Sequence, residues 1–223
     1  MRDEPLDFDA AIFDLDGTLL DSMDVWEEID LRFLERRGLT APANYVAEIC
    51  ARSFEEAALY TIQLFHLSES VPAIVREWNE MALYEYAHHV KLQPYAEEYL
   101  SRLEERGVRL AIATGLPERL YKPCLVHCGV WDRFEVICST DQAGRGKAFP
   151  DVFALACQKL GCAPRRCLVL DDTLPAVRSA KQLGTLVCGV YDKYSAHHRA
   201  QIQRIADFYV RDFRAAPLPT KKG

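Results

Sequence analysis

The sequence predicts a doubly wound α/β fold interrupted by a helical insert near its amino end. Two patterns carry that prediction. Five short apolar runs alternate with amphipathic stretches along most of the chain. Between the first run and the second lies a long stretch, 22–90, with helical periodicity and no convincing strand, far longer than an ordinary crossover needs.

The apolar runs are AAIFD (10–14), RLAIAT (109–114), EVICS (135–139), CLVLD (167–171) and LVCGV (186–190). Each is short, rich in Ile, Val and Leu, and apolar on both faces, which is how strands buried inside a parallel sheet read. Helical periodicity fills the intervals. Over 95–106, Tyr95, Tyr99, Leu100 and Leu103 fall on one face while Glu97, Glu98, Arg102 and Glu105 fall away from it, and Gly107 ends the helix. Segment 151–160 opens after Pro150 and closes at Gly161, and 174–183 closes at Gly184. This alternation of strand and helix describes a Rossmann-like doubly wound parallel sheet. The insert reads as helices 24–37, with Trp26, Ile29 and Phe33 on one face, then 53–66 and 72–89. The expected organisation is therefore a core of 1–21 with 91–223 and a helical cap of 22–90, left near Ser22 and rejoined near Leu92 to Pro94.

Composition narrows the function. The chain has 223 residues, 49% of them hydrophobic, enough for one domain with a smaller insert. Its 27 basic and 33 acidic residues give a net charge of −6 with no basic stripe, which argues against a nucleic-acid partner. No apolar run approaches the roughly 20 residues that span a bilayer. The acidic start, MRDEPLDFD, has no apolar secretory segment, and the terminal KKG is too short to form a basic patch. A cytoplasmic protein is expected, with monomer and homodimer both open. The eight cysteines (Cys50, Cys124, Cys128, Cys138, Cys157, Cys162, Cys167 and Cys188) then read as buried reduced thiols. Cys124 and Cys128 stand four apart on a helix, but no second pair follows at zinc spacing, so they too read as core thiols.

In an open α/β sheet the ligand crevice lies beyond the carboxyl ends of the strands, so the polar residues there form a natural set. The first strand ends in Asp14-Leu15-Asp16-Gly17-Thr18. Two carboxylates so close repel, which implies a cation or a shared proton, and Gly17 lets the backbone turn sharply. A capped turn accounts for the same letters. The second strand ends in Thr114-Gly115, able to bind a phosphate oxygen or simply to cap a helix before Pro117. Lys147, after Gly144 and Gly146, can reach an anion at the sheet edge or lie in solvent. Asp171-Asp172-Thr173 follows CLVL. One of these acids can cap the next helix. The second adds repulsion without structural gain, unless a hard cation sits between them. Taken together the four clusters supply a nucleophile, metal ligands, a proton donor and a cation, the parts that phosphoryl transfer needs.

These motifs, IFDLDGTLLDS, ATG, GKAFPDVF and LVLDD, resemble the haloacid dehalogenase (HAD) superfamily. The resemblance runs from about Phe8 to the tail and is nearest the β-phosphoglucomutase-like branch, which carries a helical C1 cap between the first motif and the second strand. It implies that Asp14 is the nucleophile that forms an aspartyl-phosphate and that Asp16 is the acid/base. It implies Mg²⁺ held by Asp14, by the backbone carbonyl of Asp16 and by Asp172, with Asp171 helping directly or through water. Thr114, Gly115 and Lys147 would bind phosphate, with Lys147 also keeping Asp14 ionised. The presence of Asp16 argues against dehalogenation, because dehalogenase members lack it. The cap would close over the site and set specificity, with Trp26, Arg52 and Glu55 as candidates, although Trp26 also fits simple core packing. The expectation is a Mg²⁺-dependent phosphatase acting on a small phosphorylated metabolite. The alternatives are a phosphomutase of the β-phosphoglucomutase type and a non-catalytic binding protein on the same fold. Three residues depart from the family pattern. Leu116 stands where many relatives carry a small polar residue, Pro175 where a small residue such as Gly is common, and Tyr95 where Gly usually follows Pro.

Overall fold

The computed structural model describes residues 6–43, 45–50, 52 and 54–220. In chain order its elements are β1 (Ala10–Phe13), β2 (Leu20–Asp21), α1 (Met23–Glu35), α2 (Tyr45–Cys50), α3 (Phe54–Phe65), α4 (Val71–His88), β3 (Lys91–Leu92), α5 (Ala96–Glu104), β4 (Arg109–Thr114), α6 (Glu118–His127), β5 (Val136–Ser139), α7 (Thr140–Ala143), α8 (Asp151–Leu160), β6 (Cys167–Asp171), α9 (Leu174–Leu183), β7 (Leu186–Val190), α10 (Arg199–Ile205) and β8 (Phe208–Val210). They fall into two compact units, the described parts of Met1–Asp21 with Lys91–Gly223, and of Ser22–Val90.

The first unit is built on a parallel sheet of order β5-β4-β1-β6-β7-β8. The five apolar runs become its five longer strands because each is apolar on both faces and needs helices above and below. Along β1, Ala10 and Ile12 join a core with Val152, Phe153 and Ala156 of α8, Val177 and Ala180 of α9, and Ile202 of α10. Ala11 and Phe13 point the other way, and the Phe13 ring meets Tyr99 of α5, Phe134 and Phe213. Helices thus cover both faces, as a doubly wound sheet requires. The register sets Phe13 between Ile112 and Leu170, so Asp14 leaves the sheet level with the end of β6. The sixth strand, β8, lies outside the sequence expectation. Only three residues long, it completes an edge, and no long apolar run marks it.

Two short strands, β2 and β3, pair antiparallel, Leu20 with Leu92 and Asp21 with Lys91, so the chain departs and returns side by side. The second unit is helical. Val25, Ile29 and Phe33 of α1 are buried, as are Ile74, Trp78 and Tyr86 of α4, and Phe33 meets Trp78 edge to face. Arg37 bridges Glu69 and Glu77. The predicted start of the second insert helix at 53 lies outside the described residues.

Tyr95 requires a correction. Its place on the buried face with Tyr99, Leu100 and Leu103 does not hold: it is 42% exposed and precedes α5 in the left-handed conformation, φ 63°, with the Arg214 guanidinium over its ring. A helix phase counted back into the capping position points the wrong way, because the backbone there is not helical. The cysteine reading also needs refinement. The described thiols are all free, but only Cys124, Cys138, Cys157, Cys167 and Cys188 are buried, whereas Cys128 and Cys162 are half-buried; the side chain of Cys50 lies outside the described residues. Among the described residues no helix is long and apolar enough to cross a membrane.

Candidate active site

Asp14 is the first residue past β1, and its amide donates to the Leu170 carbonyl at 3.0 Å, which ties it to the carboxyl end of the neighbouring strand β6. Beyond it the chain reverses tightly: the Thr18 and Leu20 amides both donate to the Leu15 carbonyl, at 3.1 and 2.8 Å. Gly17 makes this reversal possible with φ +72°, a left-handed conformation costly for any residue with a Cβ. The reversal brings the Thr18 hydroxyl to Asp172, where it donates to Oδ1 at 3.2 Å.

Asp171 ends β6 and Asp172 follows it, both buried. Side-chain oxygens of Asp14, Asp171 and Asp172 all lie within 4.8 Å of one another, the one such acidic group among the described residues. Lys147 reaches in from the loop before α8. Its Nζ bonds Asp14 Oδ1 and Asp171 Oδ2, the latter at 2.9 Å. Asp171 Oδ1 accepts from the Thr173 amide at 2.9 Å and from the Thr173 hydroxyl at 2.8 Å, so Asp171 is the acid most fully satisfied by the protein. Asp16 is half-buried and its carboxylate lies outside this group, although its charge still acts on Asp14.

The electrostatics follow from three buried acids facing one ammonium. Burial pushes Asp14 up to about 7 against the pull of Lys147, with the charges of Asp171 and Asp16 adding to the rise. Burial, and then the charges of Asp171, Asp14 and Asp192, hold Asp172 well above the carboxylate range. Burial alone would lower the Lys147 ammonium, but Asp14 and Asp171 outweigh it and hold it above its ordinary value. One ammonium cannot neutralise three carboxylates. A small hard cation fits this donor set, since carboxylate oxygens are its preferred ligands and it would relieve the repulsion.

Thr114 closes β4 next to β1. Its hydroxyl oxygen accepts from the Leu116 amide at 3.0 Å, so its own proton is left to donate elsewhere, and Gly115 follows at the mouth of the turn. Leu116 is buried: the position that departs from the family pattern packs inward. Pro175 occupies the first turn of α9, where a missing amide proton costs nothing. Tyr95 holds a left-handed position that glycine would adopt without strain.

The structure therefore brings Asp14, Asp171, Asp172 and Lys147 to one point, with Asp16, Thr114 and Gly115 at the same edge of the sheet. Thr18 and Thr173 also belong here, each holding an acid in place. Their signal in the sequence is a hydroxyl just after a paired acid. Trp26, Arg52 and Glu55 belong to the helical unit. Trp26 is half-buried, its ring 6.2 Å from that of Tyr86. Arg52 pairs with Glu48 at 2.9 Å and lies over the Tyr60 ring. Glu55 is exposed.

The sequence pattern of the haloacid dehalogenase-like hydrolases matches residues 8–184. Over 189 residues the chain is 30% identical to an N-acetylmuramic acid 6-phosphate phosphatase of Pseudomonas aeruginosa, covering 81% of this chain and 80% of the relative. It is 25% identical over 212 residues to the validoxylamine A 7'-phosphate phosphatase of Streptomyces hygroscopicus, covering 95% and 97%. Its fold is shared with the crystal structure of a β-phosphoglucomutase from Clostridium difficile, with a TM-score of 0.70, 16% identity, and 94% and 93% of the two chains covered. The chain belongs to the haloacid dehalogenase-like hydrolases, with the β-phosphoglucomutase-like fold.

Proposed function

We propose that this chain is a Mg²⁺-dependent phosphatase that hydrolyses a small phosphorylated metabolite through an aspartyl-phosphate on Asp14. The observation that carries the reading is the buried meeting of Asp14, Asp171, Asp172 and Lys147 at the carboxyl edge of the sheet. A binding module gains nothing from mutually repelling buried acids. A phosphoryl-transfer site needs them to hold a cation and to present a nucleophile. The two relatives above, both named for phosphate esters, support the substrate class.

In this reading Asp14, Asp172 and the backbone carbonyl of Asp16 would hold the Mg²⁺, with Asp171 beside them. When bound, the ion would neutralise charge on the phosphoryl oxygens and on the acids. Asp14 attacks phosphorus, and the bond from phosphorus to the ester oxygen breaks. Asp16 protonates the departing oxygen, then takes a proton from the water that cleaves the aspartyl-phosphate. Lys147 helps keep Asp14 ionised by opposing the effect of its burial and, with Thr114 and the Gly115 amide, steadies the transferring group. The helical unit, Ser22–Val90, acts as the cap that selects the leaving group, and the free thiols fit a cytoplasmic setting.

The deciding experiment is a screen of phosphorylated metabolites with Mg²⁺, read as phosphate release. Release from at least one small ester is expected. No release from any ester, generic or metabolic, would favour the binding-protein reading. Conversion of a sugar 1-phosphate to its 6-phosphate without free phosphate would make the chain a mutase.

A further inference from the structure

Lys147 sits in a loop with little packing of its own: residues 144–146 and 148–149 on either side are exposed. Its backbone is nevertheless held from the far side of the chain. Ser179, in α9, is fully buried, and its hydroxyl lies 2.6 Å from the Lys147 carbonyl oxygen. The competing acceptor is the Ala176 carbonyl in its own helix, at 3.1 Å. One hydroxyl proton serves one acceptor well, and the shorter contact is the one that crosses between elements. Ser179 is also out of character with its surroundings. Ala176, Val177 and Ala180 around it are buried and apolar, and a hydroxyl in such a place is disfavoured unless it makes a bond that matters. The same helix begins just after Asp171 and Asp172. The helix that follows directly on the acids meeting Lys147 thus carries the hydroxyl that holds the lysine's backbone.

We propose that Ser179 is a positioning residue for Lys147. Its hydroxyl fixes the loop backbone so that the ammonium arrives between Asp14 Oδ1 and Asp171 Oδ2. This rests on the reading of Lys147 as the cation of the phosphoryl-transfer site. A small displacement of such a group is costly, because its effect depends on orientation as much as on charge.

The test uses the full chain with Mg²⁺ and p-nitrophenyl phosphate, with inorganic phosphate as a binding probe. Ser179→Ala removes the hydroxyl with almost no change in volume. It is expected to lower kcat about tenfold while moving KM less than about twofold, with the melting temperature nearly unchanged. If that variant loses its fold, Ser179→Cys retains a weak donor and should give an intermediate kcat. Lys147→Met separates the two layers of the argument. In that background Ser179→Ala should not weaken inorganic phosphate binding further, since the group it positions is gone. Ser179→Ala at the wild-type kcat beside an impaired Lys147→Met overturns the positioning role alone. So does an equal loss of phosphate affinity in both backgrounds, which would mark Ser179 as general packing. Lys147→Met at the wild-type rate overturns the lysine assignment and the positioning role with it.

Discussion

Gly17, in the turn of the first motif, faces the Asp172 carboxylate of the last one, and Gly17→Ala tests that contact directly. A Cβ built there would lie 3.1 Å from both Cγ and Oδ2 of Asp172 and 3.3 Å from Oδ1. The carboxylate would have to retreat by a few tenths of an ångström, stretching its 3.2 Å bond from Thr18. Two costs follow. The left-handed backbone, φ +72°, penalises any Cβ by about 1–2 kcal/mol, or about 2–8 °C of melting temperature in a chain of this size. The displaced acid should also weaken Mg²⁺ binding about tenfold, the scale seen when the support of a metal ligand is disturbed. Gly161→Ala separates the two costs. It carries φ +61° with no atom within 4 Å of the built Cβ, so it supplies the backbone strain alone. Thermal melts and the Mg²⁺ concentration giving half-maximal turnover are the two readouts. Both variants should lose similar stability, and only Gly17→Ala should raise the half-saturating Mg²⁺. Wild-type Mg²⁺ dependence in Gly17→Ala, or an equal rise in Gly161→Ala, would refute the reasoning.

Asp14→Asn should abolish turnover, by at least about 10³-fold, while thermal melts show the fold intact; substantial residual activity would remove Asp14 as nucleophile. Chelating the metal should stop turnover reversibly, with activity restored by added Mg²⁺, and activity that survives thorough chelation would remove Asp172 from its role. Asp30, in the helical unit, is pushed up to about 7 from an ordinary 3.8 by burial and then by the charge of Glu27. Well below pH 3.8 the folded and unfolded chains both carry this proton. Between pH 4 and 7 only the folded chain retains it, so stability falls as pH rises through that window. Asp30→Asn removes the penalty. With allowance for the partial exposure of the side chain, it should stabilise the chain by about 1–2 kcal/mol above pH 7 and by almost nothing near about pH 3. A pH-independent difference in denaturant melts would contradict this.

The strands were the most legible part of the fold, because a doubly covered strand must be apolar throughout and no other short element is. β8 was not legible: three residues at a sheet edge carry too little pattern. α6 was legible in part: a helix start was readable at Pro117 and Cys124 and Cys128 read as helical, although Pro123 inside it ordinarily argues against a helix. Tyr95 shows the limit of periodicity, which holds only where the backbone is helical. In the candidate site, Asp14, Asp171 and Asp172 were legible as acids too close together to be ornamental. Thr18, Thr173 and Ser179 were not, because a hydroxyl becomes meaningful only through the partner that its proton reaches.

The sequence by itself determined the strand-and-helix alternation, the helical character of 22–90, and the four polar clusters at the strand ends. Those are local properties of spacing and residue type, and they survive without any knowledge of the fold. Only the tertiary structure decided which clusters meet. The parallel register places Asp14 level with the end of β6, the turn at Gly17 brings Thr18 to Asp172, and the loop before α8 delivers Lys147 to two acids distant in the chain. A buried charge takes its meaning from its neighbours. Three carboxylates and one ammonium become a site because desolvation makes each dependent on the others, and that dependence exists only once the chain has folded.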